Sequence, residues 1–401
     1  MTDDDLLAMG ATELAAVIEL SPAAIDDARA ADAALARGEP GAFLGVPFTV
    51  KDWIEAAGLV CAAGQPRRAG FVPERDAPVV ARMRAAGAVL LGKTNVGDGG
   101  GVHPRPNNPH DLGRTPGASS SGEAAIIAAG GSPFGLGSDS GGSIRWPAHC
   151  CGVAALKPAT GLAPLTGHVP PIGHMSDPRT TIGPMARSAR DLEAMLRVIA
   201  GEDAGDPSAV PVAVGSALNV ELRGLRVAWF TEFPGATPDA ATVGTVEAAA
   251  RALGERGCLV TPEAPPLLEE SFAITEAYWA RVQSLSFNRW VPPWPSRLSA
   301  DEIEQVRFRW ERFTRSMWRF MERYDLVLSP VAARPAPRHE EWDRLEYLYT
   351  LPYSLTRQPA AVVRFGRSPE GLPIGVQLAA RAWQDHVAIA AAVALEEART
   401  D

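Results

Sequence analysis

The 401-residue chain predicts an α/β fold, a β-sheet covered by helices, and three observations carry that expectation. Short apolar runs that suit buried strands alternate with amphipathic stretches that suit helices. One alternation has the spacing of a βαβ unit and favours parallel pairing: GVPFTV at 45–50, an amphipathic run at 76–86 and AVLLG at 88–92. With 46% apolar and 21% charged residues, the chain can bury one large core as a single domain over 1–401.

Taken in order, residues 5–37 predict helix. Leu6, Leu7, Leu14, Val17, Ile18 and Leu20 recur at roughly helical spacing, Ser21-Pro22 interrupts, and the helix resumes to a glycine stop. Gly45–Val50 predicts a buried strand closed by Lys51-Asp52, and Asp76–Ala86 a helix that leads into the strand at 88–92 and Lys93-Thr94-Asn95. The loop from Gly97 to Gly117 is rich in Gly, Pro and Asn, and irregular segments of that length are functional or disordered. Its His103 and His110 are read as hydrogen-bonded loop residues rather than catalytic groups. Further elements are expected as helices at Ser188–Ala200, Ala241–Gly254 and Gln384–Glu397. Strands are expected at Leu225–Phe230, Cys258–Thr261, Leu326–Ser329, Ala361–Phe365 and 371–380.

Bulk properties exclude several classes. A net charge of −9 argues against a nucleic-acid partner, which needs a basic footprint. MTDDDLLAMG places acids where a secretory signal is basic, and no apolar run approaches a bilayer span, so a cytoplasmic location is expected. The four cysteines form no CxxC pair and are expected buried and unbridged. The seven histidines form no HExxH, so no metal is implied. Residues 270–345 hold six of the ten tryptophans, namely Trp279, Trp290, Trp294, Trp310, Trp318 and Trp342. Core packing with solvated arginines is preferred there over contact with a membrane surface.

The densest chemistry lies in Thr115–Pro158, TPGASSSGEAAIIAAGGSPFGLGSDSGGSIRWPAHCCGVAALKP. A flexible Gly/Ser linker would not carry the apolar run EAAIIAAG. The segment predicts a Ser-rich loop, a helix at Ser121–Ala129 ended by Gly130-Gly131, a strand at Pro133–Gly137 and a second glycine loop holding Ser140 to Ser143. The serines are expected to cap the helix, with Glu123 favoured by the dipole of its first turn. Gly141-Gly142 would let backbone amides turn inward as an anion nest.

Gly117-Ala118-Ser119-Ser120-Ser121-Gly122 and Asp139-Ser140-Gly141-Gly142-Ser143-Ile144-Arg145-Trp146-Pro147 resemble the two signature loops of the amidase signature family of serine hydrolases. GVPFTVKD resembles that family's lysine strand. Alone, a lysine ending an apolar strand is more often a surface residue; beside these two loops the expectation reverses. The resemblance implies a central mixed, twisted β-sheet covered by helices, with a signature core at about 45–200 and a variable, aromatic-rich pocket region at about 265–345. It implies Ser143 as nucleophile, Ser119 as proton relay and neutral Lys51 as base. The amides of Ser140, Gly141, Gly142 and Ser143 would form an oxyanion hole, with Ser120, Asp139 and Arg145 in support. No cofactor is implied. Ala118 and Ser121 replace family glycines, which is expected to narrow or reshape the pocket.

The implied activity is hydrolysis of a linear amide or related C–N acyl bond, with aryl amides and carbamates (urethanes) included. The expected partner is a small amide or carbamate substrate, hydrophobic or aromatic, on a monomer or homodimer. The alternative is an amidase-like subunit of a glutamine-dependent tRNA amidotransferase. A non-enzymatic relative is disfavoured because Lys51, Ser119 and Ser143 are all present, and a nucleotide-binding loop because no GxxxxGK[ST] occurs.

Overall fold

A computed structural model of the chain describes residues 13–97, 99–171, 177–281 and 298–399. In chain order its principal elements are β1 (Val17–Leu20), α1 (Ala24–Ala36), β2 (Pro47–Lys51), α2 (Pro78–Ala85), β3 (Val89–Thr94) and α3 (Ser121–Ala128). Next come β4 (Phe134–Asp139), α4 (Arg145–Cys151), β5 (Ala154–Lys157), β6 (Thr181–Ala186), α5 (Asp191–Ile199), β7 (Arg226–Trp229) and α6 (Ala240–Glu255). The remainder is β8 (Leu259–Pro262), α7 (Leu268–Arg281), α8 (Ala300–Met321), β9 (Leu326–Pro330), α9 (Leu351–Leu355), β10 (Ala360–Arg367), β11 (Pro373–Ala380) and α10 (Asp385–Ala398).

The eleven strands of the described residues join one sheet in the order β1-β3-β2-β4-β6-β5-β10-β11-β9-β7-β8. The predicted βαβ unit is present: β2 runs parallel to β3 and to β4. A second parallel set pairs β7 with β8 and β9. Between the two sets the pairings are antiparallel, so the sheet is mixed.

Side chains alternate across the sheet. Leu328 and Val363 enter the core on one face, which α2, α5, α6 and α10 cover, while Val327 and Val362 point to the other face. That second face is covered by α3 and α4 at one end and by α7 and α8 at the other. On α8, Phe313, Met317 and Phe320 supply the buried stripe, while Arg307, Arg312 and Arg315 pair with glutamates on its exposed side. The four cysteines are buried and free. His110 meets the Cys151 carbonyl at 2.9 Å, a structural role as expected. Among the described residues no helix is long and apolar enough to cross a membrane.

The N-terminal helix expected at 5–37 is corrected. Residues 5–12 lie outside the described residues, helix covers only Ala24–Ala36, and Val17–Leu20 is an edge strand antiparallel to β3. β-Branched Val17 and Ile18 suit a strand, and the sheet edge offers them backbone partners that a lone helical turn would not. The short elements α4, β5, β6 and α9, which apolar periodicity did not single out, are likewise set by their place in the fold.

Leu136 lies fully buried in β4, directly beneath the segment that carries the second glycine loop. Leu136→Ala should lower stability by about 2–5 kcal/mol through lost burial and a residual cavity. Urea unfolding followed by fluorescence checks this, and a midpoint unchanged from wild type would contradict it.

Candidate active site

The last residue of β2 is Lys51, whose side chain is fully buried. Its Nζ lies 2.5 Å from Ser119 Oγ, 3.0 Å from Ser138 Oγ and 3.2 Å from the Ser138 carbonyl oxygen. The Trp53 ring centroid is 4.4 Å away. Burial pushes this amine well below the ordinary lysine range, and the charges of Asp139, Glu123 and Asp52 oppose that push without cancelling it. The shift is towards the neutral, proton-accepting form.

The serine loop does not cap α3 as expected. Ser120 occupies the N-cap without a side-chain cap bond; its Oγ donates to the Ser138 carbonyl and accepts from the Ser138 amide, both at 3.3 Å. Ser119 turns to Lys51 instead. Buried backbone and amine groups compete for these hydroxyls and win. Glu123 lies in the first turn of α3 as expected, and there it is also a buried brace. It accepts from Thr49 of β2 and, at 2.8 Å, from Thr94 of β3, and burial raises its carboxyl to about 7. Of the two replaced glycines, Ala118 lines the cavity described below, while the Ser121 hydroxyl sits 3.5 Å from the Gly97 carbonyl.

Asp139 and Arg145 organise the second loop. Both are fully buried and pair through Arg145 Nε and Nη2, each 3.0 Å from a carboxylate oxygen. Burial would raise the Asp139 carboxyl, but the Arg145 charge and hydrogen bonds outweigh it and hold the group below the usual carboxylate range. The same carboxylate accepts the amides of Gly142 at 2.7 Å and Ile144 at 3.1 Å. Arg145 also donates to the Thr350 carbonyl (2.7 Å), Gln377 Oε1 (2.8 Å) and Ser354 Oγ (2.7 Å). The Thr350 hydroxyl in turn donates to the Gly141 carbonyl. Gly142 has φ +141°, and a Cβ there would stand 2.4 Å from Thr350 Oγ1, so only glycine fits. Because its amide is committed to Asp139, Gly142 is a brace of the loop and drops out of the expected set of oxyanion donors. Ser140 Oγ is engaged at 2.6 Å with Thr180 Oγ1.

Ser143, partly exposed, stands two residues before α4 begins. The Ser119 loop is pressed against that helix: a Cβ on Gly117 would lie 2.5 Å from Pro147 Cα. A cavity of about 280 Å³ opens there, lined by Ser119, Trp53, Trp146, Trp342, Tyr347 and Arg105 among others. Trp146 meets Tyr347 at 5.3 Å and Trp342 at 6.0 Å between ring centroids. The expected aromatic wall is therefore present, but its source is corrected. Of the region at 265–345, Trp342 lines the cavity, whereas Trp310 and Trp318 tie α8 to the Leu355 and Thr356 carbonyls. Trp290, Trp294 and the Trp279 side chain lie outside the described residues. Trp53, after β2, and Trp146, on α4, supply the rest.

Two participants were not singled out from the sequence. Ser138 contacts Lys51 twice, and its only signal was its place beside Asp139. His168 lies midway along the connection from β5 to β6, with Nε2 2.9 Å from Ser138 Oγ and Nδ1 3.1 Å from the Pro170 carbonyl. Burial lowers its imidazole to about 4. Nothing in the spacing of TGHVPP pointed to it.

Known proteins agree with this architecture. The family model described as Amidase matches residues 10–388. A glutamyl-tRNA(Gln) amidotransferase subunit of Roseiflexus castenholzii is 32% identical, over 89% of this chain and 83% of its own. The acylamidase of Rhodococcus erythropolis is 30% identical, over 90% and 82% respectively. The native peptide amidase of Stenotrophomonas maltophilia superposes with a TM-score of 0.81 at 26% identity, covering 98% of this chain and 90% of that one. With its sheet, its two serine loops and these relatives taken together, the chain belongs to the amidase signature family and is an enzyme of that C–N-hydrolysing class.

Proposed function

We propose that the protein hydrolyses a small amide or carbamate bearing a hydrophobic or aromatic group through an acyl-enzyme on Ser143. The observation that carries this reading is the buried Lys51 amine, pushed towards its neutral form and 2.5 Å from Ser119 Oγ at the edge of an aromatic cavity. In the proposed cycle Ser119 passes its proton to Lys51 and takes that of Ser143, whose Oγ attacks the carbonyl carbon. The amides of Ser140, Gly141 and Ser143 are the proposed donors to the oxyanion, each worth about 3–4 kcal/mol of barrier. The proton then returns through Ser119 to the leaving nitrogen as the C–N bond breaks. Water, deprotonated along the same path, frees the acid.

A second reading, an amidotransferase subunit, is favoured by the match to the Roseiflexus castenholzii protein. It predicts glutaminase activity that depends on a partner. The tryptophan-lined cavity favours the stand-alone hydrolase, because a primary carboxamide as small as that of glutamine needs no such surface.

A panel of acyl and carbamoyl p-nitroanilides, assayed alongside glutamine, separates the two. Turnover of aryl substrates should fall at least about 10³-fold in Ser143→Ala and about 10²–10⁴-fold in Lys51→Ala. Glutamine as the sole substrate would overturn the first reading. The pH profile gives an independent check. If neutral Lys51 is the active form, kcat/KM falls as pH drops and Lys51 gains its proton, with the midpoint well below the ordinary lysine range because burial lowers it. Lys51→Arg, charged at every accessible pH, should be inactive throughout. An acid limb in the ordinary lysine range, or an active Lys51→Arg enzyme, would contradict this.

A further inference from the structure

Hydrogen-bond bookkeeping around Lys51 has one free choice. A neutral amine has two N–H bonds and one lone pair, while three oxygen atoms surround Lys51 Nζ: Ser119 Oγ, Ser138 Oγ and the Ser138 carbonyl oxygen. The carbonyl can only accept, so it takes one N–H. The lone pair then faces one of the two hydroxyls and the second N–H the other. If it faces Ser138 it is idle, and if it faces Ser119 it can take a proton.

His168 removes the ambiguity. The Pro170 carbonyl, 3.1 Å from Nδ1, can only accept, so Nδ1 carries the hydrogen and Nε2 of the neutral ring is an acceptor. The single Ser138 hydroxyl proton therefore goes to Nε2 over 2.9 Å. Ser138 Oγ is left only lone pairs to offer Lys51, and takes its second N–H at 3.0 Å. We propose that His168 is a positioning residue that, through Ser138, turns the lone pair of Lys51 onto the Ser119 hydroxyl. This inference rests on the reading of Lys51 as the base.

The surroundings keep the ring in its place. It is 2% exposed, with Trp53 edge-on at 5.8 Å between centroids. The charged groups that act on it are Lys51, which opposes a second proton, and Asp177, which favours one; burial dominates both. On the lysine side the charged groups are Asp139, Glu123 and Asp52. Without the acceptor at Nε2, the Ser138 hydroxyl is free to rotate and donate into the Lys51 lone pair. That would block the base and also stabilise its neutral form.

The test is the rate at which a fluorophosphonate labels the full-length protein, measured from acid to alkaline pH with folding of each variant checked by thermal unfolding. His168→Leu should label about 10- to 100-fold more slowly at the plateau, with its acid limb displaced to lower pH. His168→Gln, which keeps an acceptor over Ser138, should fall between His168→Leu and wild type. His168→Leu/Ser138→Ala removes the intruding hydroxyl and should label about tenfold faster than His168→Leu. A double variant no faster than His168→Leu would overturn the inference, as would a His168→Leu protein with the wild-type rate and pH limb. Should His168→Leu fail to fold, His168→Phe, a ring of similar size with no acceptor for Ser138, takes its place: the wild-type rate and acid limb in it overturn the inference. Lys51→Ala or Ser143→Ala labelled at the wild-type rate would instead overturn the catalytic reading itself, a separate result.

Discussion

The buried pair of Asp139 and Arg145 is the constraint on which the site depends. Two opposite charges at the heart of a protein are tolerated only where nearly every donor and acceptor is used. Here the carboxylate takes two loop amides as well as the guanidinium, and the guanidinium reaches Thr350, Ser354 and Gln377. The glycine loop at the end of β4 is thus tied to α9 and β11, more than 200 residues away in sequence. A loop held this way keeps its amides oriented before any substrate arrives, which is the condition for electrostatic stabilisation of a developing charge.

Around that pair the protein holds several ionisable groups where water cannot reach. Lys51 and Lys157 are both lowered, Lys157 to about 7 by burial and the Arg145 charge, while Glu123 is raised to about 7. Burial pushes these groups towards neutrality because the solvation it removes exceeds what their mutual attraction returns. Asp139 escapes because its compensation is direct and bidentate. The carboxylate is held towards its charged form and the lysine is pushed towards its neutral form, the separation that the proposed chemistry uses.

The cavity adds a different kind of information. Its tryptophans come from the end of β2, from α4 and from the segment before α9, so its shape is tied to the loops of the candidate site. Trp53 lies against Lys51 and also against His168, so one ring forms cavity wall and packs both the amine and the imidazole.

Local sequence determined a good deal by itself. Apolar runs bounded by glycine and proline marked most strands and helices, because those patterns are set by backbone geometry and short-range chemistry, and the likeness of the two glycine loops and the upstream lysine to a family's signature marked the candidate site. Val17–Leu20 was misassigned because three apolar residues at mixed spacing satisfy either period, and only a sheet edge chooses between them. The serines near α3 look like caps until Ser138 and Lys51 are brought alongside. Gly142 looks like a free donor until the Asp139 carboxylate folds back onto it. His168, 30 residues from Ser138, acquires meaning only when the connection between β5 and β6 lays it against β4. The sequence determined which groups exist and which short turns they occupy; the tertiary structure decided who donates to whom, because burial makes each hydrogen bond exclusive.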